Sequence, residues 1–215
     1  MVNPLNYNEI VDTALKYADR QDSTLVVAQM DNFMRIVESR MNRLLTIEDM
    51  SMRYQFPFPN PTDGRYKLPV DFSALQDISI VTVADTTQRN TLLLVNPEQM
   101  NEMTNTQNIP ASAKRFYNII ANQLVIQPVI DDTYILEIVY YGNVLPLTGS
   151  APNNWVATNH PDLYLFGLLV EINSFMKDPA AAQGWDTRFM TTINEVSDAD
   201  EVMVFSGTPL TTRVG

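Results

Sequence analysis

Val26, Met30, Phe33, Met34, Val37, Met41, Leu44 and Leu45 recur at steps of three and four residues, a spacing that commits 26–45 to a helix with one apolar face. Such a face has to be buried on something. The preceding segment offers a partner, because Leu5, Ile10, Val11, Ala14, Leu15 and Ala18 share one side of a helix for which Asn6 is a suitable cap, and a break at 19–23 lets the two fold together. The other side of the longer helix carries Arg35, Glu38, Arg40 and Arg43, read as a solvated face.

Helical periodicity returns only near the far end. Asn159-His160-Pro161-Asp162 joins a cap candidate, a proline that fits the first turn and an acidic residue, and opens the apolar run 163–176. Asp178-Pro179 starts another helix, carrying Trp185, Phe189, Ile193 and Val196 and expected to end near Asp200. Residues 201–215 have no helical period and read as an extended tail.

The middle third has a different character. Arg53-Tyr-Gln-Phe-Pro-Phe-Pro and Arg65-Tyr-Lys-Leu-Pro flank Asn60-Pro-Thr-Asp-Gly and predict two short strands about a glycine turn, kept at a sheet edge by proline. A second hairpin is expected from 77–83 and 91–95 around polar 84–90. Asn96-Pro97-Glu98-Gln99 starts a short helix over 97–105. Strands are expected at 116–120, 124–127 and 134–141, the first two joined by a tight turn at Ala121-Asn122-Gln123.

The expected fold is therefore α+β: a four-helix, two plus two, bundle with an inserted small antiparallel β-sheet lobe and an extended C-terminal tail. It divides as a single domain over 1–200, with a helical lobe at 1–50 and 158–200 and a β lobe at 51–157, followed by a C-terminal docking arm at 201–215. No repeat of 20 to 50 residues points to a solenoid or propeller.

Composition removes most chemistry. Hydrophobic residues make up 45% and charged residues 18%, so 215 residues can bury a core without staples. With no cysteine, thiolate metal sites, iron-sulfur clusters and cysteine nucleophiles are excluded, and the single histidine, His160, would have to serve any imidazole site. There is no G-x-S-x-G, H-E-x-x-H, phosphate loop or EF-hand loop. His160 reads as a helix-boundary residue, Asp131-Asp132 as a solvated turn, and Asp198, Asp200 and Glu201 as a charged helix end. Trp155, Tyr140 and Tyr141 read as core or interface. No cofactor, no metal and no catalytic residue are expected.

A net charge of −11, with acid in excess in every third, argues against a protein that grips phosphates with clustered Lys and Arg. Polar Asn3, Asn6, Asn8 and Glu9 do not suit a signal peptide, and no apolar run approaches a membrane span, so a soluble protein made in a cytoplasm is expected.

Several segments in order carry a family resemblance. They are Val37-Glu38-Ser39-Arg40-Met41-Asn42-Arg43, Tyr66-Lys67-Leu68-Pro69-Val70-Asp71-Phe72, Val95-Asn96-Pro97-Glu98-Gln99, and Phe116-Tyr117-Asn118-Ile119-Ile120 followed by Leu124-Val125-Ile126-Gln127-Pro128. Leu136-Glu137-Ile138-Val139-Tyr140-Tyr141, Asn153-Asn154-Trp155, the run from Thr158 to Gly167 and Phe205-Ser206-Gly207-Thr208-Pro209-Leu210 continue the series. The chain resembles the tailed-phage adaptor family of head-to-tail connector subunits. It departs from the family in charge, with only Arg188 and Arg213 as basic residues after Lys177.

The resemblance implies a structural protein of the virion neck and not an enzyme: a ring of twelve copies that joins the portal protein to a tail or nozzle protein and lines the DNA exit channel. Its partners would be those two proteins and further copies of itself, with genomic DNA passing the lumen without specific binding and no membrane involved. Alternatives are a tail-completion or stopper protein of the neck and, from another class, a phage-encoded cell-wall hydrolase. Two segments hold more apolar surface than free loops tolerate: the 53–68 hairpin with Phe56 and Phe58 is expected to pack on its own sheet lobe or against an adjacent subunit, and the tail with Val202, Val204, Phe205 and Leu210 to dock on a partner, the alternative being its own helices.

Overall fold

A computed structural model describes residues 5–105 and 115–205. In chain order the elements are α1 (Tyr7–Tyr17), α2 (Thr24–Val27), α3 (Met30–Leu44), β1 (Ser51–Gln55), β2 (Arg65–Lys67), β3 (Phe72–Thr82), β4 (Asp85–Thr91), β5 (Leu93–Leu94) and α4 (Pro97–Asn105). Then follow β6 (Phe116–Ile120), β7 (Gln123–Gln127), β8 (Tyr134–Gly142), α5 (Trp155–Asn159), α6 (Pro161–Phe175) and α7 (Pro179–Phe205). The fold is mixed α and β, in two compact units: Met1–Met50 with Asn143–Gly215, and Ser51–Gly142.

The helical unit is organised by α6, against which α1, α3, α5 and α7 all pack. Its Leu163, Tyr164, Leu168, Leu169 and Ile172 are buried, so the helix is apolar around much of its circumference, as a helix enclosed by neighbours must be. Gly167 permits the closest approach: a Cβ there would lie 2.6 Å from Val37 Cγ1 on α3. The N-terminus of α1 is closed by a capping box, in which Glu9 N–H donates to Asn6 Oδ1 (3.1 Å) and Asn6 N–H donates to Glu9 Oε2 (2.9 Å).

Glu38 is not on a solvated face. It is buried on α3 beside Val37 and Met41, and accepts hydrogen bonds at Oε1 from Leu147 N–H (2.6 Å) and the Tyr164 hydroxyl (3.1 Å). One turn on, Asn42 Oδ1 accepts from Val144 N–H (2.7 Å). Together they tie down 144–147, an irregular strap whose amides have no ladder to join. For this reason 143–157, assigned by sequence to the sheet lobe, belong with the helices.

The Ser51–Gly142 unit holds two four-stranded sheets, in the orders β1-β8-β3-β4 and β2-β7-β6-β5. They share one core, to which the first contributes Ile78, Ile80, Leu136 and Ile138 and the second Tyr66, Leu124 and Ile126. The first is antiparallel throughout; the second is mixed, because β5 runs parallel to β6. β1 and β2 are edge strands, as expected, but they do not form a hairpin and the prolines lie outside them. β1 pairs with β8 and β2 with β7, so the proline-rich 56–64 crosses from one sheet to the other.

The second expected hairpin is also shifted. Polar 85–91 is itself strand β4, paired with β3 at the sheet edge, where Asp85, Thr87, Arg89 and Asn90 stay exposed. The β6–β7 turn falls on Ala121 and Asn122, both with positive φ (48° and 61°), the backbone that matches strand twist in a two-residue hairpin. α4 starts where the sequence put it, with Gln99 N–H donating to Asn96 Oδ1 (2.8 Å).

The C-terminus also differs from the extended tail expected over 201–215. α7 continues through Phe205, so 201–205 are helical and not extended. Extending an existing helix fixes one residue per hydrogen bond gained, so a Val-Met-Val-Phe run without glycine or proline prolongs it even without an amphipathic period.

Candidate functional site

The sheet crossover shapes a groove of about 600 Å³ in the Ser51–Gly142 unit. It is lined by the aromatic side chains Tyr54, Phe56, Phe58 and Tyr66, by Pro59, Pro61, Pro69 and Val70, and by Arg65 and Lys67. The alternation on β2 explains the charge: Tyr66 is buried, so Arg65 and Lys67 on either side of it are both exposed. Phe58 is 49% and Val70 96% exposed, apolar side chains for which the unit itself provides no cover.

Asn60 gives the crossover a fixed path. Its amide donates to the Asp131 carbonyl (2.8 Å) and the Tyr134 carbonyl (2.9 Å), its backbone N–H donates to Asp132 Oδ1 (2.7 Å), and its Oδ1 accepts from the Tyr66 hydroxyl (3.1 Å). Burial, with the Asp132 charge adding to it, pushes the Tyr66 hydroxyl far above its usual range and keeps it a neutral donor. Asp131 is occupied within its own turn: hydrogen bonds from the Thr133 hydroxyl and N–H hold its carboxyl below the usual range. The two adjacent carboxylates thus brace a loop and do not converge on a substrate.

Of the residues named from the sequence, Phe56 and Phe58 both line the groove, Phe58 half exposed and Phe56 buried. Phe56 is 6% exposed and lies edge-on to Tyr54 and Tyr66 in the core, because it follows β1 into the space between the sheets. Val202 stands in the last turns of α7 and is 70% exposed. Val204 and Phe205 belong to the same helix by backbone; Leu210 lies outside the described residues. The sequence reading missed Arg65, Lys67 and Val70; the Arg-Tyr-Lys alternation was the available signal.

The remaining polar clusters are structural. Glu137 on β8 is buried and accepts from Arg89 and from Gln55 Nε2 (2.9 Å), with Arg53 Nε 3.6 Å away. Burial raises its carboxyl pKa, but the Arg89 and Gln55 hydrogen bonds and the two guanidinium charges outweigh that and hold it below the usual range. His160 separates α5 from α6 without a side-chain cap, its ring edge-on to Trp155 at 6.2 Å. Asp200 Oδ1 accepts from Glu48 N–H (3.0 Å). Among the described residues no group of three or more His, Asp or Glu is placed to hold a metal ion, and no helix is long and apolar enough to cross a membrane.

What this geometry offers is surface: an aromatic and proline-walled groove with two cations on one unit, and an exposed acidic and apolar helix end on the other. No curated protein matches the chain. The family model of the SU10 adaptor protein matches residues 5–213, close to the whole length, and the chain belongs to that family of phage head-to-tail adaptor proteins.

Proposed function

We propose that the chain is a neck subunit that assembles into a ring of twelve between the portal protein and a tail or nozzle protein, lines the DNA exit channel and catalyses no reaction. The family match over residues 5–213 carries this reading. The exposed surfaces support it: a closed ring needs two different patches on each subunit, and Phe58 with Val70 on one unit and Val202 on the other supply apolar side chains for such patches. A charge of −11 per copy suits a channel wall that repels phosphates and lets DNA slide. In the same reading, 201–215, which begin as the last turn of α7, form a docking arm with Val202, Val204, Phe205 and Leu210 as its anchors on a partner.

Mixing the purified chain with its portal and averaging end-on electron-microscope views tests the proposal. A ring coaxial with the portal is the expected result. Portal particles unchanged by a folded chain would overturn the reading, and turnover of peptidoglycan by that chain would replace it with the hydrolase.

A further inference from the structure

Arg65 and Lys67 form the only exposed cationic pair on β2, in a chain with a large acidic excess. Residues two apart on a strand point the same way, so the Cβ atoms of the two cations sit about 6.5–7 Å from each other. Neither makes an ion pair among the described residues. β2 is moreover the edge of its sheet, and Phe58 and Val70, half exposed and almost fully exposed, line the same groove as the two cations.

A matching surface occurs on α7. Ile193 and Val196 are buried, whereas Glu195, Asp198, Ala199 and Val202 are exposed, and at about 100° per residue these four fall within roughly a 100° arc. Glu195 and Asp198, three apart, bring their Cβ atoms to about 5–6 Å, close to the Cβ separation of Arg65 and Lys67. Val202, four residues beyond Asp198, then continues the face with an apolar side chain.

We propose that the exposed face of α7 from a second copy of the chain docks in this groove, Glu195 and Asp198 meeting Arg65 and Lys67 while Val202 covers Phe58 and Val70. The occupant follows from charge and spacing: the groove presents two cations beside apolar side chains, and the helix presents two carboxylates beside an apolar one. The contact is head to tail, with different patches on the two copies, so repetition closes into a ring where the rotation allows it. A helix end in a groove is a small contact by itself; in a closed ring each subunit makes it twice, and dissociation of one copy must break both. The inference rests on the ring reading proposed above and names one of its interfaces.

Because the chain has no cysteine, introduced thiols test it cleanly. Phe58→Cys and Val202→Cys, made in separate full-length chains, are mixed under mild oxidation with and without the portal. A mixed disulfide between the two is expected, with none when Lys16→Cys replaces either. Reversing the cations (Arg65→Glu with Lys67→Glu) should lower its yield at least about tenfold, as facing like charges do, and adding Glu195→Lys with Asp198→Lys to the Val202→Cys chain should restore it. A disulfide that forms only within one chain carrying both thiols would overturn the contact, as would coaxial rings on the portal without any mixed disulfide, a result that leaves the adaptor reading standing. A mixed disulfide from chains that ignore the portal would uphold the contact and sink the adaptor reading.

Discussion

Glu38→Ala should destabilise the helical unit by about 3–5 kcal/mol, although Glu38 pairs with no cation among the described residues. The cost comes from what the substitution leaves behind. Oε1 takes the Leu147 amide at 2.6 Å and the Tyr164 hydroxyl at 3.1 Å, and both donors are buried. A buried donor deprived of its acceptor costs about 1–3 kcal/mol, and bonds to a charged acceptor are worth about 1.5–3 kcal/mol each, so two together reach the stated range. For a chain of this size that corresponds to a fall in melting temperature of roughly 6–20 °C. Glu38→Gln keeps the acceptor and sheds the desolvated charge, and should stay within about 1 kcal/mol of the parent.

The pH dependence separates charge from hydrogen bonding. Burial holds the Glu38 carboxyl above its usual range, outweighing the opposing bonds from Leu147 and Tyr164 and the Arg35 charge. The native state therefore binds this proton more tightly than the unfolded chain does. Stability from this group is fully present below the unfolded value and is lost as pH rises through the folded one. Glu38→Gln should lack that loss. Both tryptophans, Trp155 and Trp185, lie in the helical unit, so urea titrations followed by tryptophan fluorescence report on it alone. If Glu38→Ala cost less than about 1 kcal/mol, or if Gln proved as damaging as Ala, the hydrogen-bonded strap would not be what the carboxylate holds.

Gly167→Ala should cost about 1–2 kcal/mol by the same assay, since a Cβ set 2.6 Å from Val37 Cγ1 and 3.3 Å from Phe189 Cε2 outweighs the gain in helix propensity; adding Val37→Ala should recover part of that loss. In the sheet unit, Gly64→Ala places a side chain at φ +67° and 2.6 Å from the Ile126 carbonyl oxygen, and calorimetry should show a loss of at least about 1–3 kcal/mol. The lowered Glu137 pKa makes its contribution present above the unfolded carboxyl value and lost as pH falls through the folded one. Calorimetry of Glu137→Gln against the parent should accordingly converge at low pH and diverge toward neutrality.

The helices were legible because their signals are local. The apolar stripe of α3, the Asn6 and Asn96 caps and the Pro161 start each sit within a few residues and the structure has them, although the helix expected over 26–45 breaks at 28–29 into α2 and α3. Strand pairing was not legible, because β1 and β8 meet across more than eighty residues and nothing in Arg53-Tyr-Gln-Phe-Pro says which sheet each half of the crossover joins. Glu38 was misplaced for a related reason: a carboxylate at a helical position reads as solvated until the strap amide it accepts from, 109 residues away, is known. The exposure of Phe56 and Phe58 was not legible either, one being buried and the other half exposed, since an aromatic residue beside proline carries no mark of whether it faces the core or water.

The most direct test of the central claim is a reconstruction of the neck from the virion that encodes this chain. The account requires density for the chain's helical and two-sheet units repeated about the channel axis between portal and tail, in twelve copies. A neck in which that position is filled by another protein, with this chain absent from the axis, would contradict it.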